Sequence, residues 1–227
     1  MLRQEINHRS LSDFAFVGQR PYIRGVDLFK FFLNQQEPDS PRFPSEVRSL
    51  KLTRELKRNG FWINDRDNEI DRLQIEPSAI LEYVDTKGIR ERASFLETGP
   101  AISRNVEDGP KCLMTVNSTG IFAGNAKLAQ HLDAPGILDG LVTANKALHA
   151  STLQELGLKS DSIRFVYVER FPIALTPQSD TVEIVITHRG VREREGRIYT
   201  LNAARIICEA GPATTMICFS YDNGSQT

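Results

Sequence analysis

Three titratable side chains lie within the short segment 131–140. His131 and Asp133 precede Pro135, and Asp139 follows it. Imidazole and carboxylate groups are the side chains that most often transfer protons in enzymes, so this cluster could supply an acid and a base. Each carboxylate also has a structural explanation. Asp133 could cap a helix that begins at Pro135, and Asp139 could complement the dipole of that helix's first turn.

The segment 135–150 is predicted to be a buried helix. Pro135 and Gly136 interrupt the preceding segment, and apolar residues then recur at helical spacing. The recurring residues are Ile137, Leu138, Leu141, Val142, Ala144, Ala147 and Leu148. Strand-like segments follow this helix, so we expect an antiparallel sheet to wrap around it.

The two halves of the chain repeat three features in the same order. A helical segment is followed by a strand framed by arginines, and then by a hairpin rich in Gly, Arg and Glu. The matching pairs are residues 21–33 with 135–150, 47–54 with 163–170, and 87–92 with 189–194. Charged hairpins are common on protein surfaces, but three matches in one order predict a tandem repeat. The last pair also predicts hairpin turns at residues 85–88 and 189–190.

The repeat predicts two domains, residues 1–105 and 106–227. The segment 97–109 contains glycine and proline and has the composition of a linker. A chain of 227 residues is long enough for two such domains or for one large domain. The alternative is a single mixed α+β domain with one large antiparallel sheet, in which no two-fold relation connects the helices.

Composition and charge are ordinary for a soluble globular protein, with 40% hydrophobic and 25% charged residues. The chain has 28 basic and 29 acidic residues, so no net field would recruit nucleic acid or an anionic membrane. No apolar run approaches the ~20 residues of a membrane span. The segment 1–20 is too charged for a secretory signal, which favours a cytoplasmic location.

Cysteine spacing gives no sign of a metal site. Cys112, Cys208 and Cys218 lie in apolar, strand-like surroundings and are interpreted as buried thiols in a reducing compartment. No Cys/His set has zinc-ligand spacing, and no glycine-rich loop has phosphate-binding spacing. We therefore expect neither a metal nor another cofactor.

The second half, roughly residues 113–221, resembles the hotdog superfamily, in which a long helix is wrapped by a curved antiparallel sheet. The resemblance rests on the helix start Pro-Gly-Ile-Leu-Asp-Gly-Leu-Val-Thr, the strand from Ile163, the turn and strand at 175–184, and three final strands. It is greatest to the enoyl-CoA hydratase and hydroxyacyl dehydratase (MaoC-like) branch. Since the first half repeats the second, the chain is predicted to be an α+β double hotdog with two long helices, each wrapped by its own sheet.

The resemblance implies an acyl thioester as ligand, because hotdog proteins bind acyl groups carried by coenzyme A or by acyl carrier protein. In the family, the acyl group lies at the seam between two hotdogs, and the start of the helix faces the thioester carbonyl. Gly136 and Gly140 would let this backbone come close to the substrate. A double hotdog holds such a pair in one chain, and a homodimer of double hotdogs is compatible with the resemblance.

The sequence departs from the hydratase branch at its acid/base pair. That branch carries an Asp and a His in the loop before the helix, and the corresponding places here are near Ala123 and Asn125. The resemblance therefore leaves the catalytic role to Asp139 and His131, with Asp133 as a third candidate.

Four further residues are candidates for substrate contacts. Thr143 lies where thioesterase relatives carry an acid, although it cannot act as a carboxylate. Asn125 lies near the place of the missing acid/base pair. Tyr22 and Arg24 precede the first helix, and the Arg24 guanidinium could bind a carboxylate or a phosphate.

Three functions remain open at this point. The first is a dehydratase or hydratase that acts on acyl thioesters with a non-standard acid/base site, in specialised biosynthesis. The second is a thioesterase. The third is a protein that binds acyl thioesters without catalysis, which the missing acid/base pair favours. A shared fold does not decide among them.

Overall fold

The computed structural model describes nine stretches of the chain: residues 11–17, 22–38, 40–65, 75–106, 114–129, 132–157, 163–173, 181–208 and 211–222. Contacts divide the chain into two compact units. The first comprises residues 1–44 and 50–110, and the second comprises residues 45–49 and 111–227. A division by contacts does not show that either part folds alone, so the predicted domain boundary at 105 stays a prediction.

Among its described residues, the first unit has one helix, α1 (Gly25–Asn34), and six strands. The strands are β1 (Phe16–Val17), β2 (Pro44–Leu52), β3 (Phe61–Asn64), β4 (Ala79–Asp85), β5 (Arg90–Leu96) and β6 (Asn105–Val106). Their order in the main sheet is β3-β5-β4-β2, while β1 and β6 form a separate parallel pair. Residues 45–49 of β2 are grouped with the second unit.

Aromatic side chains form the core of the first unit. The α1 residue Phe32 is fully buried, and its ring lies 5.4 Å from that of Trp62 and 5.3 Å from that of Tyr83. Trp62 in turn contacts Phe95 of β5 at 5.5 Å. These edge-on and tilted contacts are the geometry that aromatic pairs prefer, so they attach one face of α1 to the sheet.

The turn between β4 and β5 follows the sequence-based prediction. Gly88 has a φ of +79°, which a residue with a Cβ adopts at a cost. The carboxylate of Asp85 accepts hydrogen bonds from the backbone N–H groups of Lys87 and Ile89 at 2.9 and 2.8 Å. This Asp-and-Gly chemistry fixes the register of the hairpin.

Residues 97–106 are not a free linker. The Glu97 carboxylate accepts hydrogen bonds from the backbone N–H groups of Lys57 and Arg58 at 2.6 and 2.8 Å, and from the Ser78 hydroxyl at 2.8 Å. β6 then pairs with β1. The prediction of a linker over this stretch is wrong, because composition does not reveal a carboxylate bound at long range.

Gly60 lies where the backbone leaves no room for a side chain. A Cβ at this position would overlap the carbonyl group of Leu96. We expect Gly60→Ala to lower the free energy of unfolding by about 3 kcal/mol, since backbone must shift to accommodate the methyl group. Urea unfolding checks this. Gly120→Ala is the control, because a Cβ there meets no atom within 4 Å. Its free energy of unfolding should stay within about 0.5 kcal/mol of wild type.

The second unit surrounds the 22-residue helix α2 (Ala134–Glu155). Its strands are β7 (Met114–Gly120), β8 (Ala123–Ala129), β9 (Arg164–Pro172), β10 (Thr181–Arg194), β11 (Arg197–Cys208) and β12 (Gly211–Asp222). Their order is β9-β12-β11-β10-β8-β7, and every neighbouring pair is antiparallel. In the described part of the chain, no helix is both long and apolar enough to span a membrane.

One face of β8 packs against α2 through two glycines. A Cβ at Gly140 of α2 would come within 2.6 Å of the Leu128 side chain of β8. A Cβ at Gly124 of β8 would come equally close to Leu148 of α2. The glycines therefore bring helix and strand close together.

The predicted turn at residues 189–190 is wrong. β10 continues to Arg194, and the turn lies at Glu195 and Gly196, which have φ values of +52° and +71°. Between His188 and Gly190 the register of β10 shifts against β11, which is a β-bulge. Glycine inside a strand commonly marks a bulge. Because Gly88 lies in a turn and Gly190 in a strand, the third pair of matching segments does not support the repeat.

The far part of the β10–β11 hairpin extends beyond the neighbouring strand. β8 pairs with β10 only as far as Ile186. From Thr187 to Arg194, β10 pairs with β11 alone among the described strands. Side chains near its end, such as Arg192 and Glu193, are exposed.

Candidate functional site

Three of the predicted site residues lie on one stripe of α2. Gly136, Asp139 and Thr143 follow one another at spacings of three and four residues, which places them on the same side of a helix. All three are half-buried, whereas their neighbours Leu138 and Leu141 are fully buried. The stripe therefore presents a carboxylate and a hydroxyl on a partly accessible surface near the helix start.

Asp133 is the N-cap of α2. Its carboxylate accepts a hydrogen bond from the Gly136 N–H at 2.8 Å, and its carbonyl accepts one from the Ile137 N–H at 2.9 Å. Pro135 has no N–H. A substrate oxygen could bind the Gly136 N–H only by displacing the Asp133 carboxylate.

Gly140 lies next to this stripe, four residues after Gly136 and three residues before Thr143. It is buried against Leu128 of β8, as described above. Helix–strand contact accounts for a glycine at this position without a ligand.

Asn125 lies in a strand and not in a loop before the helix, so that part of the sequence-based placement is wrong. Its side chain is exposed, while Gly124 and Ala126 on either side are buried. Successive side chains of a strand point to opposite faces. Since Gly124 faces α2, Asn125 points away from α2 and from the stripe that carries Asp139.

Tyr22 and Arg24 belong to the first unit. Tyr22 is half-buried, and Arg24 is the extended residue that precedes α1. The Arg24 guanidinium forms a two-bonded ion pair with Asp27, at 2.8 and 2.6 Å. The Arg24 guanidinium therefore already binds one carboxylate within the chain, that of Asp27. His131 lies outside the described residues.

A buried hydrogen-bond network joins α2 to β11 and β10. The amide of Asn202 donates to the side-chain oxygen of Asn145 at 2.9 Å and to the carbonyl of Phe122 at 3.2 Å. Its own oxygen lies 2.9 Å from Nδ1 of His188. Because the Phe122 carbonyl can only accept, the amide orientation is fixed, and Nδ1 of His188 must carry the hydrogen.

His149 is the second buried part of this network. Its Nδ1 donates to the backbone carbonyl of Asn145 at 2.7 Å, and its Nε2 accepts from the Thr200 hydroxyl. The ring stacks on Phe122 at a centroid distance of 4.6 Å. Both ring nitrogens are therefore paired, and the side chain is fully buried.

The sequence contains a local signal for these buried polar residues. Asn145, His149 and Thr152 follow Leu138 and Leu141 at helical spacing, so polar residues continue the apolar stripe. All three are buried. His149 lies ten residues after Asp139, or roughly 15 Å along the helix axis. The network is too far from Asp139 to share its chemistry, and we assign it a structural role.

Stability should depend on pH through His149. Burial lowers the pKa of this imidazole from 6.5 to about 4, because a charged ring would lose its hydration. The hydrogen bond to the Asn145 backbone raises the pKa, and the nearby His188 lowers it further. Below pH 6.5 the unfolded chain binds a proton that the folded chain excludes. We expect unfolding free energy to fall as pH drops from 6.5 to 4, by on the order of 3 kcal/mol.

Urea unfolding at about pH 7 and about pH 4.5 measures this dependence. The variant His149→Gln is the control, since it lacks the titrating group and should show a shallower decline. An equal decline in both proteins would assign the effect to other groups.

The remaining described side chains offer no metal site. Among them, no cluster of three or more His, Cys, Asp or Glu residues could hold a metal ion. Cys218 is buried, and burial raises the pKa of its thiol to about 12. This residue is therefore an unreactive thiol, as the sequence predicts.

Solved structures match the chain in three dimensions, while no protein-family model and no curated protein sequence matches it. A protein of unknown function with the hotdog fold from Alicyclobacillus acidocaldarius is 11% identical with a TM-score of 0.50, over 91% of this chain and 89% of that one. At this identity the similarity establishes a shared fold and no activity.

Two further solved structures are similar at lower scores. A putative oleoyl thioesterase from Lactobacillus plantarum is 12% identical with a TM-score of 0.46, over 93% of this chain and 96% of that one. A dehydratase domain from the CurJ module of curacin polyketide synthase is 7% identical with a TM-score of 0.43, over 88% and 82%.

Proposed function

We propose that this chain, which has the hotdog fold, processes acyl thioesters of coenzyme A or acyl carrier protein as a dehydratase or hydratase. One observation carries the proposal. The half-buried stripe of Gly136, Asp139 and Thr143 places a carboxylate near the start of a long helix wrapped by a sheet. That is the end of the helix to which the sequence resemblance assigns the thioester carbonyl.

Removal of water from a β-hydroxyacyl thioester requires two proton transfers. A base takes the proton from the carbon next to the thioester carbonyl, and an acid protonates the departing hydroxyl. In the proposal, Asp139 performs one transfer and His131 performs the other. The positive end of the α2 dipole stabilises charge that develops on the thioester oxygen, and the Thr143 hydroxyl binds the substrate near Asp139.

Asp133 has a positioning role in this proposal. Its carboxylate is exposed and already accepts the Gly136 N–H. An Asp or Asn in this place caps the start of the helix in the same way, because either side chain supplies the accepting oxygen. Asp133 therefore fixes the backbone on which Asp139 is carried.

The proposal extends to the organisation of the chain. Two helices and two sets of strands would form a double hotdog, with the carrier-bound acyl group at a seam between hotdogs. The proposed compartment is the cytoplasm, with acyl thioesters of coenzyme A or acyl carrier protein as substrates. The proposed division at residue 105 falls near the end of the stretch 97–106, which packs within the first unit.

A second function, binding without catalysis, is favoured by one observation. The Gly136 N–H is occupied by Asp133, so the helix start offers one fewer donor to a thioester oxygen. A binding protein needs no free donor at the reacting carbonyl.

A panel of saturated, enoyl and β-hydroxyacyl-CoA substrates tests the proposal. Purified protein is incubated with each, and products are measured by mass spectrometry together with thiol release. We expect gain or loss of one water, with no free coenzyme A. Free coenzyme A would establish a thioesterase instead. Bound but unchanged substrate, tested also on acyl carrier protein, would establish the binding function.

A further inference from the structure

The first unit contains an open cleft of about 490 Å³ between one side of α1 and the β1–β6 pair. This volume lies within the range of small-molecule sites. Phe14 and Phe31 line the cleft, and their rings meet edge to face at 5.4 Å. Val106, which is 41% exposed, extends this apolar surface.

The wall that carries Phe14 is held in place by hydrogen bonds. The Phe14 N–H donates to the side-chain oxygen of Asn59 at 2.8 Å. Ser12 donates its N–H to the Gly60 carbonyl at 2.8 Å, and its hydroxyl accepts from the Gly60 N–H at 2.9 Å. Phe16 donates to the Arg104 carbonyl at 2.9 Å. The cleft is therefore formed before any ligand binds, which lowers the cost of binding.

The charges around the cleft leave one cation unmatched. Asp27 pairs with Arg24 at 2.6 Å, and Asp13 pairs with Arg104 at 3.4 Å. Lys30 also lines the cleft and has no partner among the described side chains. Three cations and two carboxylates give the lining a net charge of +1.

We propose that this cleft binds a small organic monocarboxylate with an aromatic body, whose ring packs on Phe14 and Phe31 while its carboxylate meets Lys30. A single negative charge matches the unpaired ammonium. A doubly charged ligand would meet repulsion from Asp13 and Asp27. Contact between the ligand ring and the two phenylalanine rings removes apolar surface from water. This burial supplies the larger part of the affinity.

Titration calorimetry with 3-phenylpropionate tests the site on the full chain, with the uncharged 3-phenylpropionamide as matched ligand. We expect the acid to bind more tightly than the amide. The variant Lys30→Gln should weaken binding of the acid about threefold to fivefold and leave binding of the amide unchanged, since an exposed ion pair contributes little more. The control Lys51→Gln removes an exposed lysine outside the cleft and should change neither affinity.

The apolar part of the site has its own variant. Phe31→Leu keeps an apolar side chain on α1 but removes the ring edge that meets Phe14, and it should weaken the acid and the amide by equal factors. Absence of binding, or equal affinity for acid and amide in both wild type and Lys30→Gln, would overturn the proposal. The test measures no thioester turnover, so its failure and that of the proposed function are distinguishable.

Discussion

Replacing Asp139 by asparagine is expected to lower turnover of the accepted acyl thioester by about 100-fold or more, because the variant keeps the shape of the side chain but cannot exchange the proton. The side chain is half-buried on α2, and asparagine of the same size should leave the helix in place. Steady-state rates with the best substrate of the acyl-CoA panel give the comparison, and circular dichroism checks the fold.

Asp133→Asn is the matched control for this experiment. It removes a carboxylate only six residues away, yet an asparagine oxygen can still accept the Gly136 N–H that Asp133 accepts now. We expect its rate to stay within about threefold of wild type, since no proton passes through a cap. Equal losses in the two variants would mean that charge near the helix start, and not proton transfer at Asp139, matters. Unchanged turnover in Asp139→Asn would remove Asp139 from the mechanism.

The second large effect is expected for stability. Asn202→Ala should lower the free energy of unfolding by about 3–5 kcal/mol, because it leaves the buried oxygens of Asn145 and Phe122 without their donor and opens a cavity. Urea unfolding near neutral pH measures the loss.

His188→Ala provides the graded comparison within the same network. His188 is half-buried and shares only one hydrogen bond with Asn202, so its removal should cost about 1 kcal/mol. The difference between the two variants reports the combined cost of the buried hydrogen bonds and of the cavity at residue 202. Similar small losses in both would show that water or a shifted side chain replaces the Asn202 amide.

The helices and most strands could be predicted because their signals are local. The apolar spacing from Ile137 to Leu148 lies within one helix, and α2 spans it. The turn at Gly88 is likewise encoded by its neighbours, with Asp85 accepting from the backbone that follows. The turn beyond Gly190 could not be placed in this way, because a glycine in a bulge and a glycine in a turn have the same local sequence context.

The buried network could not be predicted because its partners are distant in sequence. His149 and Thr200 are 51 positions apart, and Phe122 and Asn202 are 80 positions apart. They come together only when β8, β10 and β11 pair and α2 packs on the sheet. Of the candidate site, the stripe of Gly136, Asp139 and Thr143 follows from helical spacing alone. The outward direction of Asn125 depends instead on β8 being a strand.

The extended end of the β10–β11 hairpin has a consequence for solubility. An uncovered strand edge can pair with the same edge of another molecule, which is a route to aggregation. Antiparallel pairing of two copies centred on Glu193 would set the two Glu193 carboxylates against each other and Arg192 against Arg194. Like charges in directly opposed positions destabilise such a pair. The alternating Arg and Glu residues therefore let this hairpin project into solvent while resisting self-association along its open edge.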